Sequence, residues 1–544
     1  MQMKADMILK SSCIFTALSG ETIPGGVALK DNKIIAVGED ALKYEGPETE
    51  VRDYGDRLIM PAFIDAHVHY FMGAIASSDH MCDTLSETTS EAECVDMIKK
   101  FADSHPDEKR IRGIGWFPAN WADAPLPTKK SLDEAIPDRP VYLIAADCHT
   151  FWMNTPALEE AGITPDMKPK SGSVGLMENG ELSGLLFEPD AFAPAMEKVM
   201  DMDAEAMKEA HAGFLHHINK CGVTSISEMS ADDYTDAAHR SYRILSDMEK
   251  EGTLTCRLHL YMKLAGYTDF SKALEFRKEF FSQKLRVNGV KGFIDGVLST
   301  YTGLLLEPYS DRPETCGIDV PNVPEEENTE YIIAANRAGL PVRLHCIADG
   351  SVRMALDMYE KSRNANGPQD FYNTVEHIEN IHPDDIPRFS KLGVIPSMQP
   401  YHLTLDAHEK IRRVGAERCR YEWPHRSLLD AGAKLAFGTD YPVVDFNPFP
   451  NIYSAVTRCD DYGKPAGTNP EECITVAEAL ISYTKNAALA YNRDDIGVLA
   501  EGKLADVIVV DRNLLEIPPE EIPESSVLLT IMDGQIVYDA ETDK

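Results

Sequence analysis

Two histidines spaced two apart, His67 and His69 in PAFIDAHVHY, end the first long apolar run of the chain. In an extended strand, residues i and i+2 point the same way, so both imidazoles can reach one metal ion. Four further residues end apolar runs downstream: Lys291 in GVKGFIDG, His345 in VRLHC, His377 in TVEHIE and Asp440 in FGTDYPV. A single histidine in such a place is ordinarily a satisfied polar residue of a core or rim. Six residues of these types at the ends of separate runs point instead to one shared site. Imidazole and carboxylate suit zinc, and iron, manganese and nickel accept the same ligand types. A divalent metal lowers the pKa of water toward neutrality, which makes a hydrolytic nucleophile available.

The elements that must position these residues form a regular series. Eight short apolar stretches read as strands: AFIDAHVH, GVTSISEM, CRLHLYM, VNGVKGFID, LPVRLHC, NTVEHIE, GVIPSMQ and AKLAFGTD. Amphipathic runs such as HPDDIPRFSKLG, with acids at its start and Gly at its end, separate them as helices. Alternation of this kind predicts βα units and a closed (β/α)8 barrel, an α/β TIM barrel. The six candidates then emerge at the carboxyl ends of strands one, four, five, six and eight, the rim where this fold places its sites. Both chain ends read differently, as alternating strands and turns (GGVALKDNKIIAVG, KLADVIVVD, SVLLTIMDGQIVYD). They predict a β-sandwich domain composed of residues 1–60 and 490–544. The barrel takes residues 61–70 and 211–489. Residues 71–210 far exceed a βα connection and predict an inserted subdomain, placed as a lid.

The order His-x-His, Lys, His, His, Asp resembles the amidohydrolase superfamily. VKGFIDGVLSTYTG, LHCIADG, VEHIEN, PSMQPYH and FGTDYPV, with HTFWMNTPAL and ENGELSGLLFEP in the insert, resemble its YtcJ-like branch, which includes N-substituted formamide deformylases. The resemblance implies two zinc ions, the more buried held by His67, His69 and Asp440, the other by His345 and His377; some superfamily members use one metal. It also implies that Lys291 is either carbamylated into a bridging carboxylate or displaced from the metals, since an unmodified ammonium beside two cations is repelled. Asp440 would then be the catalytic base, taking a proton from water and passing it to a leaving nitrogen. The reaction expected is hydrolysis of a non-peptide amide-type C–N bond. The alternatives are deamination, hydrolysis of a cyclic amide or lactone on the same metals, or a regulatory descendant without activity; Lys291 and Asp440 argue against the last.

Other residues read toward the same rim. Asp295, four after Lys291, either orients substrate or caps its loop. Gln399 and His402 in MQPYH follow strand seven and are expected to line the pocket. His149 in HTFWMN resembles a position near the substrate, or is a hydrogen-bonded structural residue. Trp116, with Trp121, Phe151 and Trp152, supplies either the core of the insert or an apolar surface for substrate. Small neutral amides with an aromatic or aliphatic N-substituent are therefore the expected substrates.

The bulk properties narrow the field. The 544 residues carry a net charge of −36, which disfavours nucleic acid and anionic membrane surfaces as partners. Eleven cysteines without a CxxC pair argue against a disulfide framework, and no run is apolar enough to span a bilayer. A cytoplasmic enzyme of small molecules, with a homodimer as the assembly considered, is the expectation.

Overall fold

Apolar, β-branched runs bounded by glycines and turn residues form eight parallel strands, buried on both faces as parallel strands require. They are Phe63–Val68, Val223–Asp232, Arg257–Lys263, Leu285–Phe293, Val342–Cys346, Thr374–His377, Ile395–Met398 and Ala436–Phe437, each pairing with the next. In this computed structural model residues 3–118, 121, 126–146, 148–169, 172–317, 323–461 and 463–543 are described. The last strand returns to the first through the segment that follows it. Asp440 N–H donates to His67 O at 2.7 Å, and His69 N–H donates to Tyr441 O at 2.9 Å. The barrel is the (β/α)8 architecture anticipated from the alternation of strands and helices.

Local chemistry explains the helices between the strands. Asp236–Glu251 starts on Thr235, whose hydroxyl accepts the Ala238 N–H, and ends on Gly252 in the left-handed conformation. Its buried residues, Ala238, Tyr242, Leu245 and Met248, recur every three or four positions and form one apolar stripe. Ile386–Leu392 likewise stops on Gly393 at φ 71°.

Both chain ends contribute to one eight-stranded sheet. Leu58–Pro61 pairs antiparallel with Val507–Val510 and parallel with Met7–Phe15. Leu9, Ile14, Val27, Ile59, Val507 and Leu529 pack as its core. Arg257, in the third barrel strand, holds Asp506 of the C-terminal segment through two bonds of 2.9 Å, tying barrel to sheet.

The chain divides into two compact units, Met1–Tyr70 with Leu215–Lys544, and Phe71–Phe214. The second contains a five-stranded sheet, Ser173–Leu176, Leu182–Phe187, Thr150–Met153, Val141–Ala145 and Ile111–Trp116 in spatial order. Trp116, Trp121 and Trp152 meet in its core, with ring centroids 5.6 to 6.2 Å apart. Among the described residues no helix is long and apolar enough to cross a membrane.

Candidate metal centre

His67, His377 and Asp440 offer ligand atoms that all lie within 4.8 Å of one another, and all three side chains are buried. His67 Nε2 is 3.4 Å and His69 Nε2 3.3 Å from Asp440 Oδ1; His377 Nδ1 is 3.8 Å and His402 Nε2 3.9 Å from Oδ2. His345 lies alongside, its ring centroid 4.4 Å from that of His377. Its Nε2 sits 3.2 Å from Gly296 O and 3.9 Å from Asp295 Oδ1. His377 and Asp440 hold φ angles of 75° and 62°, left-handed values that L residues adopt rarely and that collect at functional sites.

Partners fixed behind these side chains set their orientation. The carboxylate of Glu376 receives Arg343 Nε at 2.8 Å and Nη2 at 3.2 Å, and its Oε2 lies 2.8 Å from His67 Nδ1. Burial alone would raise the Glu376 carboxyl, but Arg343 and His67 hold it well below the usual range. An ionised carboxylate only accepts, so His67 Nδ1 carries the proton. Burial lowers the His67 pKa to about 4, despite the opposing pull of Asp440 and with the help of Lys291. The ring is therefore neutral at pH 7, and its Nε2 lone pair faces the Asp440 carboxylate. Burial would also raise Asp440, yet the neighbouring imidazoles of His67 and His69 keep it below the ordinary carboxylate range. A lone pair against an anion is repulsive, and a cation between them removes the conflict.

Two orphaned atoms give the same fit. Asp440 Oδ1 and Lys291 Nζ are buried without a hydrogen-bond partner among the described residues. Lys291 lies near the end of the fourth strand, its Nζ 5.1 Å from the Phe293 ring centroid, and burial lowers its pKa to about 8. The donor set of neutral imidazoles and carboxylate, with these orphans, suits a divalent metal.

The remaining candidates fall in different places. Gln399 Oε1 is 2.9 Å from His377 Nδ1, so the amide orients that ring. The Asp295 carboxylate accepts the N–H groups of Ile347, Ala348 and Leu304 at 3.0 to 3.2 Å, which makes it a loop cap, and burial pushes it up to about 7. His149 and Trp116 belong to the other compact unit. His149 Nδ1 pairs with Glu188 Oε2 at 2.9 Å, and the Trp116 indole donates to Leu143 O from inside the core.

Sequence reasoning missed Asp65, Arg343 and Glu376. Asp65 accepts Thr439 N–H and hydroxyl bonds and the His67 N–H, stitching strand eight to strand one. The available signal was a charge inside an apolar strand: Arg343 in VRLHC and Glu376 in TVEHIE stand where burial without a partner would be prohibitive.

A parallel barrel with imidazoles and a carboxylate gathered at its carboxyl rim defines the class. The sequence model of the Amidohydrolase family (Amidohydro_3) matches residues 50–538, and the chain belongs to that family. It is similar to Protein LONG AFTER FAR-RED 3 of Arabidopsis thaliana, 30% identical over 98% of this chain and 92% of that one. The putative amidohydrolase YtcJ of Bacillus subtilis is 28% identical over 91% and 92% of the two chains. The N-substituted formamide deformylase of Arthrobacter pascens is 25% identical, covering 98% of each. These likenesses place the chain in the YtcJ-like branch. Among solved structures, an uncharacterized metal-dependent hydrolase of Pyrococcus horikoshii superposes with a TM-score of 0.77 at 27% identity, covering 94% of this chain and 99% of that one.

Proposed function

We propose that this chain hydrolyses a small, non-peptide amide, an N-substituted formamide or a close relative, at a zinc centre. The observation that carries the reading is the His67–Asp440 contact, a neutral imidazole Nε2 3.4 Å from a buried carboxylate oxygen without a hydrogen-bond partner among the described residues. His67, His69, His377 and Asp440 would hold one ion. His345 and a carbamylated Lys291 would extend the set to a second. Bound zinc supplies a Lewis acid that acidifies water and polarises a carbonyl. Asp440 takes a proton from water and returns it to the leaving nitrogen. Glu376 keeps His67 in the tautomer with Nε2 free, and Gln399 does the same for His377. Carbamylation needs the neutral amine: Nζ bonds the carbon of CO2 and releases one proton to solvent. The lowered pKa of Lys291 supports that step. The likeness to a formamide deformylase along the whole chain supports the substrate class. Eleven cysteines, all free thiols, support a reducing compartment such as the cytoplasm.

The test is a parallel screen of N-formyl and N-acyl amines, cyclic amides, lactones and aminopurines with zinc-loaded enzyme, with Asp440→Asn as control. Amine release from N-substituted formamides, about a hundredfold slower or more in the variant, is expected. Ammonia release from an aminopurine without cleavage of any amide would overturn the reading.

A further inference from the structure

A second line of ionisable side chains leads away from Asp440 into the protein. His402, in the turn after the seventh barrel strand, places Nε2 3.9 Å from Asp440 Oδ2 and Nδ1 3.7 Å from Glu379 Oε1. The other Glu379 oxygen lies 2.5 Å from Lys410 Nζ, carried by helix Leu403–Val414. That ammonium also sits 3.8 Å from the Trp423 ring centroid. The line therefore joins the segment leaving strand six, the turn after strand seven and the helix beyond it. Glu379 is 7% and Lys410 3% exposed, and His402 Nε2 is buried without a hydrogen-bond partner among the described residues.

Taking a lysine and a glutamate out of water is costly, and an apolar pair of similar volume usually serves a core as well or better. A buried pair directly behind a site histidine has a use that an apolar pair lacks. The ammonium pins the carboxylate on one side, and the carboxylate presents an acceptor to Nδ1 on the other. The imidazole stands between the two carboxylates, Nδ1 toward Glu379 and Nε2 toward Asp440.

We propose that Glu379 and Lys410 are positioning residues for His402, holding its Nε2 at the Asp440 edge of the candidate metal centre. The orientation itself stands on the ion-pair geometry; only its kinetic consequence rests on the hydrolase reading.

The test uses the full-length protein and reads the ring directly. Crystal structures of Lys410→Met, which keeps the stem and removes the ammonium, and of Glu379→Gln, which keeps the shape and removes the charge, are compared with the parent. In both, His402 Nε2 is expected to move about 1 Å or more from its place beside Asp440, a displacement large enough to matter catalytically. With a cleaved amide in hand, each variant is expected to lose about tenfold or more in kcat with little change in KM. Neither should add to the loss caused by His402→Asn, because residues acting through one group are not additive. A His402 ring unmoved in both variants, or losses that add fully to His402→Asn, would overturn the proposal and leave the pair a purely structural one. If Lys410→Met does not fold, Glu379→Gln decides alone. If no amide is cleaved, the amide reading fails, while the ring positions still decide the positioning claim.

Discussion

The main-chain N–H of Asp440 donates to the carbonyl of His67 at 2.7 Å, so the bond that closes the barrel also joins two of the residues gathered at its rim. Asp65 strengthens the same seam from inside, accepting from Thr439 and from the His67 N–H. Barrel closure and the geometry of the candidate centre are thereby one structural fact. A change that opens the seam must move His67 relative to Asp440.

Gly438 tests that coupling. A Cβ there would stand 2.5 Å from His67 N and 2.7 Å from Asp65 Oδ1, distances no real side chain adopts. Gly438→Ala is expected to cost about 1–3 kcal/mol of stability or more, as overpacking does. Zinc affinity should fall with it, though no ligand has been changed. Urea unfolding and competition with a chromogenic chelator measure both. A stable variant that binds zinc as the parent does would separate closure from the centre.

Glu376→Gln removes the anion that holds His67 and leaves Arg343 buried beside a neutral amide. Losing the partner of a buried ion costs about 3–5 kcal/mol, and losing the group that orients a ligand costs about 10–100-fold in metal affinity. Both effects are expected here, read by the same two measurements. Unchanged metal affinity would show that His67 keeps its orientation without Glu376.

Asp232, the last residue of the second barrel strand, sets a further pH dependence. Burial and the nearby Glu228 carboxylate push its carboxyl up to about 7, while the Tyr242 hydroxyl donates to it at 2.9 Å. An unfolded aspartate titrates near ~4, so between about pH 4 and 7 the folded chain binds a proton that the unfolded chain lacks. Asp232 therefore lowers stability as pH rises through that window, with a slope of up to about 1.4 kcal/mol per pH unit. Asp232→Asn abolishes this slope. Relative to the variant, the wild type is expected to be less stable at pH 8 than at pH 5 by urea unfolding. An equal difference at both pH values would contradict the assignment.

The strands and the order of the rim residues were legible because periodicity is local. Alternation and β-branched runs mark a strand wherever it packs, and His67, His345 and His377 each close such a run. The partners were not legible, because they depend on which atoms meet across the barrel. Nothing in TVEHIE says that Glu376 reaches back to His67, 309 positions earlier, while its other oxygen meets Arg343. Asp295 shows the same limit: both of its readings suited the sequence, and only the folded loop gives its carboxylate three backbone N–H donors. The aromatic residues of residues 71–210 carried too little pattern to separate a core from a pocket, and Trp116 is in the core.

Lys291 offers a chemical test. If its carbamate is a ligand, Lys291→Ala is expected to lose metal and activity together, and short carboxylic acids should partly restore both by occupying the vacated space. A Lys291 found unmodified in a crystal structure with full metal occupancy would remove it from the ligand set.

The central claim is that the rim cluster binds a divalent metal, and elemental analysis of the protein purified without chelators measures this most directly. The account predicts about two zinc-type ions per chain, lost in a His67→Ala, Asp440→Ala double variant that still folds. Protein that stays metal-free in micromolar zinc with His67, His69, His377 and Asp440 intact would contradict it.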